Sequence, residues 1–249
     1  MKSGIEMRMS SRARAGTSLA GAGVLLGAVA LGPIATTAAG IAIGVVLAVG
    51  WPFLIDLPNP GTARRVIAAF SVASGAVGYF LGVRELVFLA GLTVIVGFVA
   101  EMARRDGRPR LLEQISGTVS GSILALMTAL WTRTVVVDAD GRVAASAVLT
   151  AVAVALLLDV LIPHSLRHVR HIVYMVGGFL GGLGFMLVAD IAWYVAAAAG
   201  FVAGAILAIF DSILRRLPPA TRRRPGAALA MVPLCVAAVV AYTLVLVIS

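Results

Sequence analysis

The stretch GTSLAGAGVLLGAVALGPIATTAAGIAIGVVLAVGWPFLI, from Gly16 to Ile55, carries no charged side chain. A helix that crosses a bilayer needs about 17–25 mostly apolar residues, so this run is too long for one helix and barely long enough for two. The dipeptide Gly32-Pro33 lies near its middle, where a turn is expected. The stretch therefore predicts two short membrane spans, Thr17–Gly32 and Ala35–Ile55.

A cleaved signal peptide is the alternative interpretation of this stretch, with Leu19–Leu31 as its apolar segment. Cleavage near Ala39 would leave only a short apolar remnant before Asp56. The length of the run therefore favours the two uncleaved spans.

The rest of the chain has the same apolar character. Of its 249 residues, 61% are hydrophobic and 12% are charged, whereas soluble domains have roughly 25% charged residues. Stretches such as Ala144 to Leu158 do not alternate between polar and apolar residues, which argues against a β-barrel. We predict an all-α polytopic transmembrane helix bundle, with a basic head (residues 1-15) followed by one transmembrane domain (residues 16-249). The nine predicted helices are Thr17–Gly32, Ala35–Ile55, Val66–Val83, Leu86–Met102, Ile115–Trp131, Ala144–Ile162, Ile172–Val188, Ile191–Phe210 and Ala227–Ile248.

The distribution of basic residues predicts the orientation of the bundle. Nine helices place 17 of the 20 Lys and Arg residues on the side that holds the N-terminus. Because basic loops stay cytoplasmic, we expect a cytoplasmic N-terminus in an inner (plasma) membrane. The net charge of +9 is spread between apolar spans. This favours anionic membrane lipids over nucleic acid as partners.

A carboxylate followed by arginines recurs at the cytoplasmic end of every second helix. These residues form a candidate polar cluster: Asp56, Glu101, Asp159 and Asp211. The pattern predicts parallel hairpin repeats, an arrangement in which transporters place their sites at repeat interfaces. In the alternative interpretation, the arginines only set the orientation of the helices in the membrane, and the acids form local i,i+4 ion pairs such as Glu101–Arg105 and Asp211–Arg215.

The loop after the fourth predicted helix combines arginines with carboxylates. Arg104, Arg105, Arg108 and Arg110 are candidate ligands for a phosphate or lipid headgroup, because guanidinium groups suit phosphate geometry. Glu101, Asp106 and Glu113 extend the candidate polar cluster and could bind a metal or act as a base. In the alternative interpretation, the loop only keeps this side of the membrane positively charged, and its acids and arginines form ion pairs with one another. The phosphate hypothesis predicts that Arg108→Ala weakens binding to anionic lipid more than Arg223→Ala.

The same loop carries a resemblance to known sequences. The run Arg-Arg-Asp-Gly-Arg-Pro-Arg after a helix end resembles a loose group of uncharacterised actinobacterial multi-pass membrane proteins, over roughly Trp51 to Trp131. The resemblance implies a membrane fold but no activity, so it assigns no role to any residue.

Catalytic and metal-binding signatures are weak. Asp106-Gly107 lacks the further aspartates of the CDP-alcohol phosphotransferase pattern, and no P-loop or His-Glu-x-x-His motif is present. No cofactor is therefore predicted, and the sequence leaves open whether the protein is an enzyme. His164, His168 and His171 would share one helical stripe and form a low-ranking metal candidate. The single cysteine, Cys235, cannot form an intrachain disulfide.

The small-xxx-small spacing lets helices approach closely. Glycine pairs with this spacing include Gly78–Gly82, Gly117–Gly121, Gly177–Gly181, Gly178–Gly182 and Gly200–Gly204. Such faces serve internal packing, or contact with a second copy or another membrane protein. The leading functional hypothesis is a small permease-like or lipid-handling transport protein. The alternatives are a membrane enzyme acting on a phosphate-bearing lipid at the cytoplasmic face, and a non-catalytic scaffold or accessory subunit.

Overall fold

The computed structural model describes residues 9–104, 107, 109–137, 139–161, 169–187, 192–214 and 221–248. Within them the chain is all-helical. The helices are α1 (Ser11–Leu31), α2 (Pro33–Leu54), α3 (Pro60–Phe80), α4 (Val83–Met102), α5 (Leu111–Met127), α6 (Ala129–Val137), α7 (Ala139–Leu161), α8 (Arg170–Met186), α9 (Trp193–Leu214) and α10 (Arg223–Ile248). Since α5 and α6 are separated by Thr128 alone, they form one rod, Leu111–Val137. The described segments thus contain the nine predicted helical rods.

The charge-free stretch forms two helices, as predicted. Gly32 has φ +111°, in the region that favours glycine, and Pro33 begins α2 at a position where its missing N–H costs nothing. The first helix starts earlier than predicted. The Ser10 side chain accepts a hydrogen bond from Ala13 N (3.1 Å), so α1 includes part of the basic head.

Several predicted helix starts were too late, because each was placed at the first uninterrupted apolar residue. Asn59 accepts a hydrogen bond from Thr62 N (3.2 Å) and caps α3, so Arg64 and Arg65 lie within that helix. Helix α10 likewise begins at Arg223. Arginines are tolerated near the start of a helix because their long side chains carry the charge outward to water.

The prediction of a polar loop after Trp131 was also wrong. Helix α6 continues to Val137 and α7 already begins at Ala139. A Cβ atom at Gly141 would overlap the Thr134 carbonyl oxygen, so this glycine allows the two helices to approach closely. The two helices therefore lie closer together along the chain than the cluster of polar residues suggested.

The core lies where α2, α7 and α10 meet, and its members include the fully buried Leu47, Val148 and Leu234. Trp131 of α6 is also fully buried, and its Nε1 donates a hydrogen bond to Leu234 O (3.0 Å). The outer helices expose large apolar side chains; Phe88 of α4 is 68% exposed. Soluble monomers rarely expose such faces over a wide area.

Seven helices are long and apolar enough to cross a membrane: α1, α2, α4, the α5–α6 rod, α7, α9 and α10. Of the other two, α3 carries two arginines and α8 has only 17 residues. The chain is therefore a multi-pass, all-α membrane protein.

Candidate functional site: the arginine-rich end

The predicted basic segments that the structure describes meet at one end of the bundle, which we call the arginine-rich end. The starts of α1 and α10 are joined by a hydrogen bond from Met9 N to Thr221 O (2.6 Å). The end of α2 contacts the start of α5, where Trp51 Nε1 donates to Gly117 O (2.9 Å). The ends of α7 and α9 meet the start of α8 through charged side chains. Alternate helix ends therefore converge as the charge pattern predicted.

Asp56 and Arg110 form an exposed ion pair between α2 and α5. Arg110 Nη1 lies 3.4 Å from Asp56 Oδ2, and Nη2 donates to the Asp56 backbone oxygen. Arg110 Nε also pairs with Glu113 Oε2 at 2.7 Å. Because the Asp56 side chain is 85% exposed, this pair contributes little to stability.

Glu101 and Arg104 form a buried pair one helical turn apart. Arg104 Nη1 lies 2.5 Å from Glu101 Oε2. The other carboxylate oxygen, Oε1, is buried and has no hydrogen-bond partner in the described part of the chain. The predicted partners Arg105, Asp106 and Arg108 lie outside the described residues. Of the four candidate phosphate ligands, the two that are described, Arg104 and Arg110, both face carboxylates.

A buried amide joins the α2–α3 linker to α5. Gln114 is fully buried; its Oε1 accepts from Asn59 N (2.9 Å) and its Nε2 donates to Asn59 O (3.0 Å). Sequence reasoning missed this contact, since a glutamine near a helix start carries no distinctive signal. It fixes the position of the linker that carries Asp56.

Asp159 and Asp211, both predicted members of the polar cluster, share one arginine. Arg170 Nη2 donates to Asp159 Oδ2, and Arg170 Nε lies 3.9 Å from Asp211 Oδ2. The guanidinium carbon lies 5.4 Å from the centre of the Tyr174 ring, a cation–π contact. Sequence reasoning missed that one buried arginine, at the start of α8, joins the ends of α7 and α9.

A cavity of about 40 Å³ lies beside this cluster, between α1, α7, α8, α9 and α10. Its polar lining comprises Ser11, Arg14, Ser18, Arg170 and Asp211. Ser18 Oγ donates to Ala230 O (2.7 Å), which ties α1 to α10 next to the cavity.

A larger groove of about 710 Å³ opens on another side of α1, at the same end of the bundle. It is lined by Met9, Ala13 and Thr17, by Val45, Val46 and Val49 of α2, and by Arg223, Arg224 and Ala227 of α10. No ion pair joins Arg223 or Arg224 to any residue that the structure describes. The sequence indicated these arginines only as part of a topogenic loop.

The predicted histidine stripe lies mostly outside the described residues, which include His171 but neither His164 nor His168. In the described segments, no three His, Cys, Asp or Glu side chains are close enough together to hold a metal ion. The described acids of the polar cluster lie in three ion-paired groups: Asp56 and Glu113 with Arg110, Glu101 with Arg104, and Asp159 and Asp211 with Arg170.

Comparison of the chain with known protein families, curated proteins and solved structures finds no match.

Proposed function

We propose that the protein is a lipid-handling membrane protein that binds an anionic phospholipid in the groove between α1, α2 and α10. The observation that carries the proposal is the apolar groove bordered by Arg223 and Arg224. The protein would reside in the inner membrane with its arginine-rich end in the cytoplasm, where anionic headgroups attract basic segments.

The apolar walls of the groove suit an acyl chain. Val45, Val46 and Val49 line one wall along α2, and Ala13 and Ala227 complete it with small apolar side chains. Val46 and Val49 are 39% and 37% exposed, so they offer apolar surface that a lipid tail can cover.

The end of the groove at the start of α10 suits a negatively charged headgroup. Helix α10 begins with Arg223 and Arg224 and has no acidic residue in its first turn. Positive side chains at a helix N-terminus oppose the helix dipole. An anion bound there would interact favourably with both guanidinium groups and with the dipole.

The pairing of other arginines favours this groove over the loop from Arg104 to Arg110. Arg104 and Arg110 already face carboxylates, which compete with phosphate for their N–H groups. Arg223 and Arg224 have no such partner within the described segments. The sequence led us to expect a larger loss of lipid binding from Arg108→Ala than from Arg223→Ala. The proposal predicts the opposite, that substitution of Arg223 weakens lipid binding more than substitution of a loop arginine.

The test is titration of phosphatidylglycerol into the purified full-length protein in detergent, with bound lipid counted by native mass spectrometry. Two charge-assisted hydrogen bonds lost in the Arg223→Gln/Arg224→Gln variant should weaken binding by about tenfold or more. Phosphatidylcholine with the same acyl chains should bind weakly to both proteins.

The matched control is Arg64→Gln/Arg65→Gln, which removes another adjacent pair of exposed arginines, from the second turn of α3. We expect this variant to bind phosphatidylglycerol like the unmodified protein. Equal losses in the two double variants would show that general surface charge attracts the lipid, and would overturn the proposed site.

A further inference from the structure

The guanidinium of Arg170 has one buried N–H group without an acceptor in the described part of the chain. The Arg170 side chain is 7% exposed, and its Nε makes no hydrogen bond. Asp211 Oδ2 lies 3.9 Å from Nε, which is too far for a hydrogen bond. Since buried donors in folded proteins nearly always have a partner, the position calls for an acceptor from outside the described segments.

The cavity beside Arg170 has room for such an acceptor. Its volume of about 40 Å³ exceeds the roughly 10–15 Å³ that one water molecule requires. It is far smaller than the neighbouring lipid groove of about 710 Å³. A monatomic ion or a few water molecules fit, whereas a phospholipid headgroup does not.

The charges around the cavity favour an anion. Arg14 and Arg170 both line it, and Ser11, at the N-terminus of α1, adds a hydroxyl donor and the positive end of a helix dipole. Asp159 is engaged with Arg170. Asp211 is the opposing carboxylate in the lining, and its side chain is 21% exposed to solvent, which weakens its repulsion.

We propose that this cavity is a binding site for a small monovalent anion such as chloride, held between Arg170 Nε, Arg14 and Ser11. The anion would accept the hydrogen bond that Arg170 cannot make within the described chain. It would thereby strengthen the junction of α1, α8 and α9. The site is separate from the lipid groove, which Ala13 and Thr17 line from another face of α1, so either proposal can fail alone.

The test is thermal unfolding of the purified full-length protein at constant ionic strength, with sodium gluconate replaced stepwise by sodium chloride or bromide. The melting midpoint should rise once the halide concentration exceeds the dissociation constant, by about 3–6 °C at a concentration tenfold above it. Equal midpoints in chloride and gluconate would overturn the proposal.

Two variants locate the effect. Ser11→Ala removes one donor at the cavity and should weaken the chloride response about threefold to tenfold. Arg14→Gln should nearly abolish the response. The control Arg12→Gln removes an exposed arginine from the same helix turn and should retain it. Equal responses in all three variants would mean that chloride acts elsewhere, and the cavity would not be its site.

Discussion

At the scale of single residues, glycines divide into those that permit helix contact and those that face open space. A Cβ atom at Gly178 would overlap the Gly200 carbonyl oxygen, and one at Gly204 would overlap the Tyr174 carbonyl oxygen. At Gly23 or Gly27, such a Cβ would meet no described heavy atom within 4 Å beyond the adjacent backbone of its own helix. Glycines four residues apart therefore allow close helix contact at some positions and face open space at others. The packing of the helices, not the spacing, distinguishes the two cases.

Gly178→Ala should destabilise the protein, because the added methyl group meets backbone that cannot move aside. Overpacking of this kind costs about 1–3 kcal/mol, which should lower the melting midpoint in detergent by several degrees. The matched control, Gly23→Ala, should leave the midpoint unchanged or raise it slightly, since alanine suits a helix better than glycine. An equal fall of the melting midpoint in Gly178→Ala and Gly23→Ala would contradict the close packing of α8 against α9.

At the scale of helices, the sequence predicted the spans, whereas the contacts between their charged ends depend on the packing. Charge-free runs and the Gly32-Pro33 break depend on local chemistry, so nine rods could be predicted from the chain alone. The ion pairs depend on which helices lie side by side. Local spacing suggested Glu101–Arg105 and Asp211–Arg215, but both of these arginines lie outside the described residues. Within the described residues, Glu101 pairs with Arg104 and Asp211 lies near Arg170.

Arg170 should be the most sensitive of the described charged residues, because it joins α7, α8 and α9 in a buried position. Arg170→Met leaves Asp159 buried without its partner, and breaking such a pair costs about 3–5 kcal/mol. The double variant Arg170→Met/Asp159→Leu should recover much of this loss in thermal unfolding, since an apolar pair replaces a buried ion pair at little cost.

The control for that cycle is the exposed pair of Asp56 and Arg110. Arg110→Met should change the free energy of unfolding by less than about 1 kcal/mol, as is usual for exposed ion pairs. A loss at Arg110 as large as the loss at Arg170 would show that burial does not set the strength of these contacts.

At the scale of the whole molecule, the charge asymmetry predicted which helix ends converge, and the structure brings them together. It did not predict the groove proposed to bind lipid, because Val45 to Val49 and Arg223 lie far apart in the chain and meet only when α2 packs beside α10. The predicted hairpin repeat stays a prediction: the described acids at the four hairpin ends differ in burial and in partners.

The proposed orientation can be tested by labelling single cysteines with a membrane-impermeant maleimide. In a Cys235→Ala background, Glu113→Cys lies at the arginine-rich end and Ala192→Cys lies at the opposite end. Intact spheroplasts should label only Ala192→Cys, and inside-out vesicles only Glu113→Cys. The reverse pattern would place the arginine-rich end outside the cell.

Crosslinking to a phosphatidylglycerol that carries a photoreactive group near its phosphate tests the central claim most directly. In membranes that contain this lipid, mass spectrometry of the crosslinked protein should identify positions 9–17, 45–49 and 223–227, and unlabelled phosphatidylglycerol should compete. Arg223→Gln/Arg224→Gln should lose these crosslinks. Crosslinks concentrated at 104–113, or spread evenly around the bundle and unchanged in the double variant, would contradict the account.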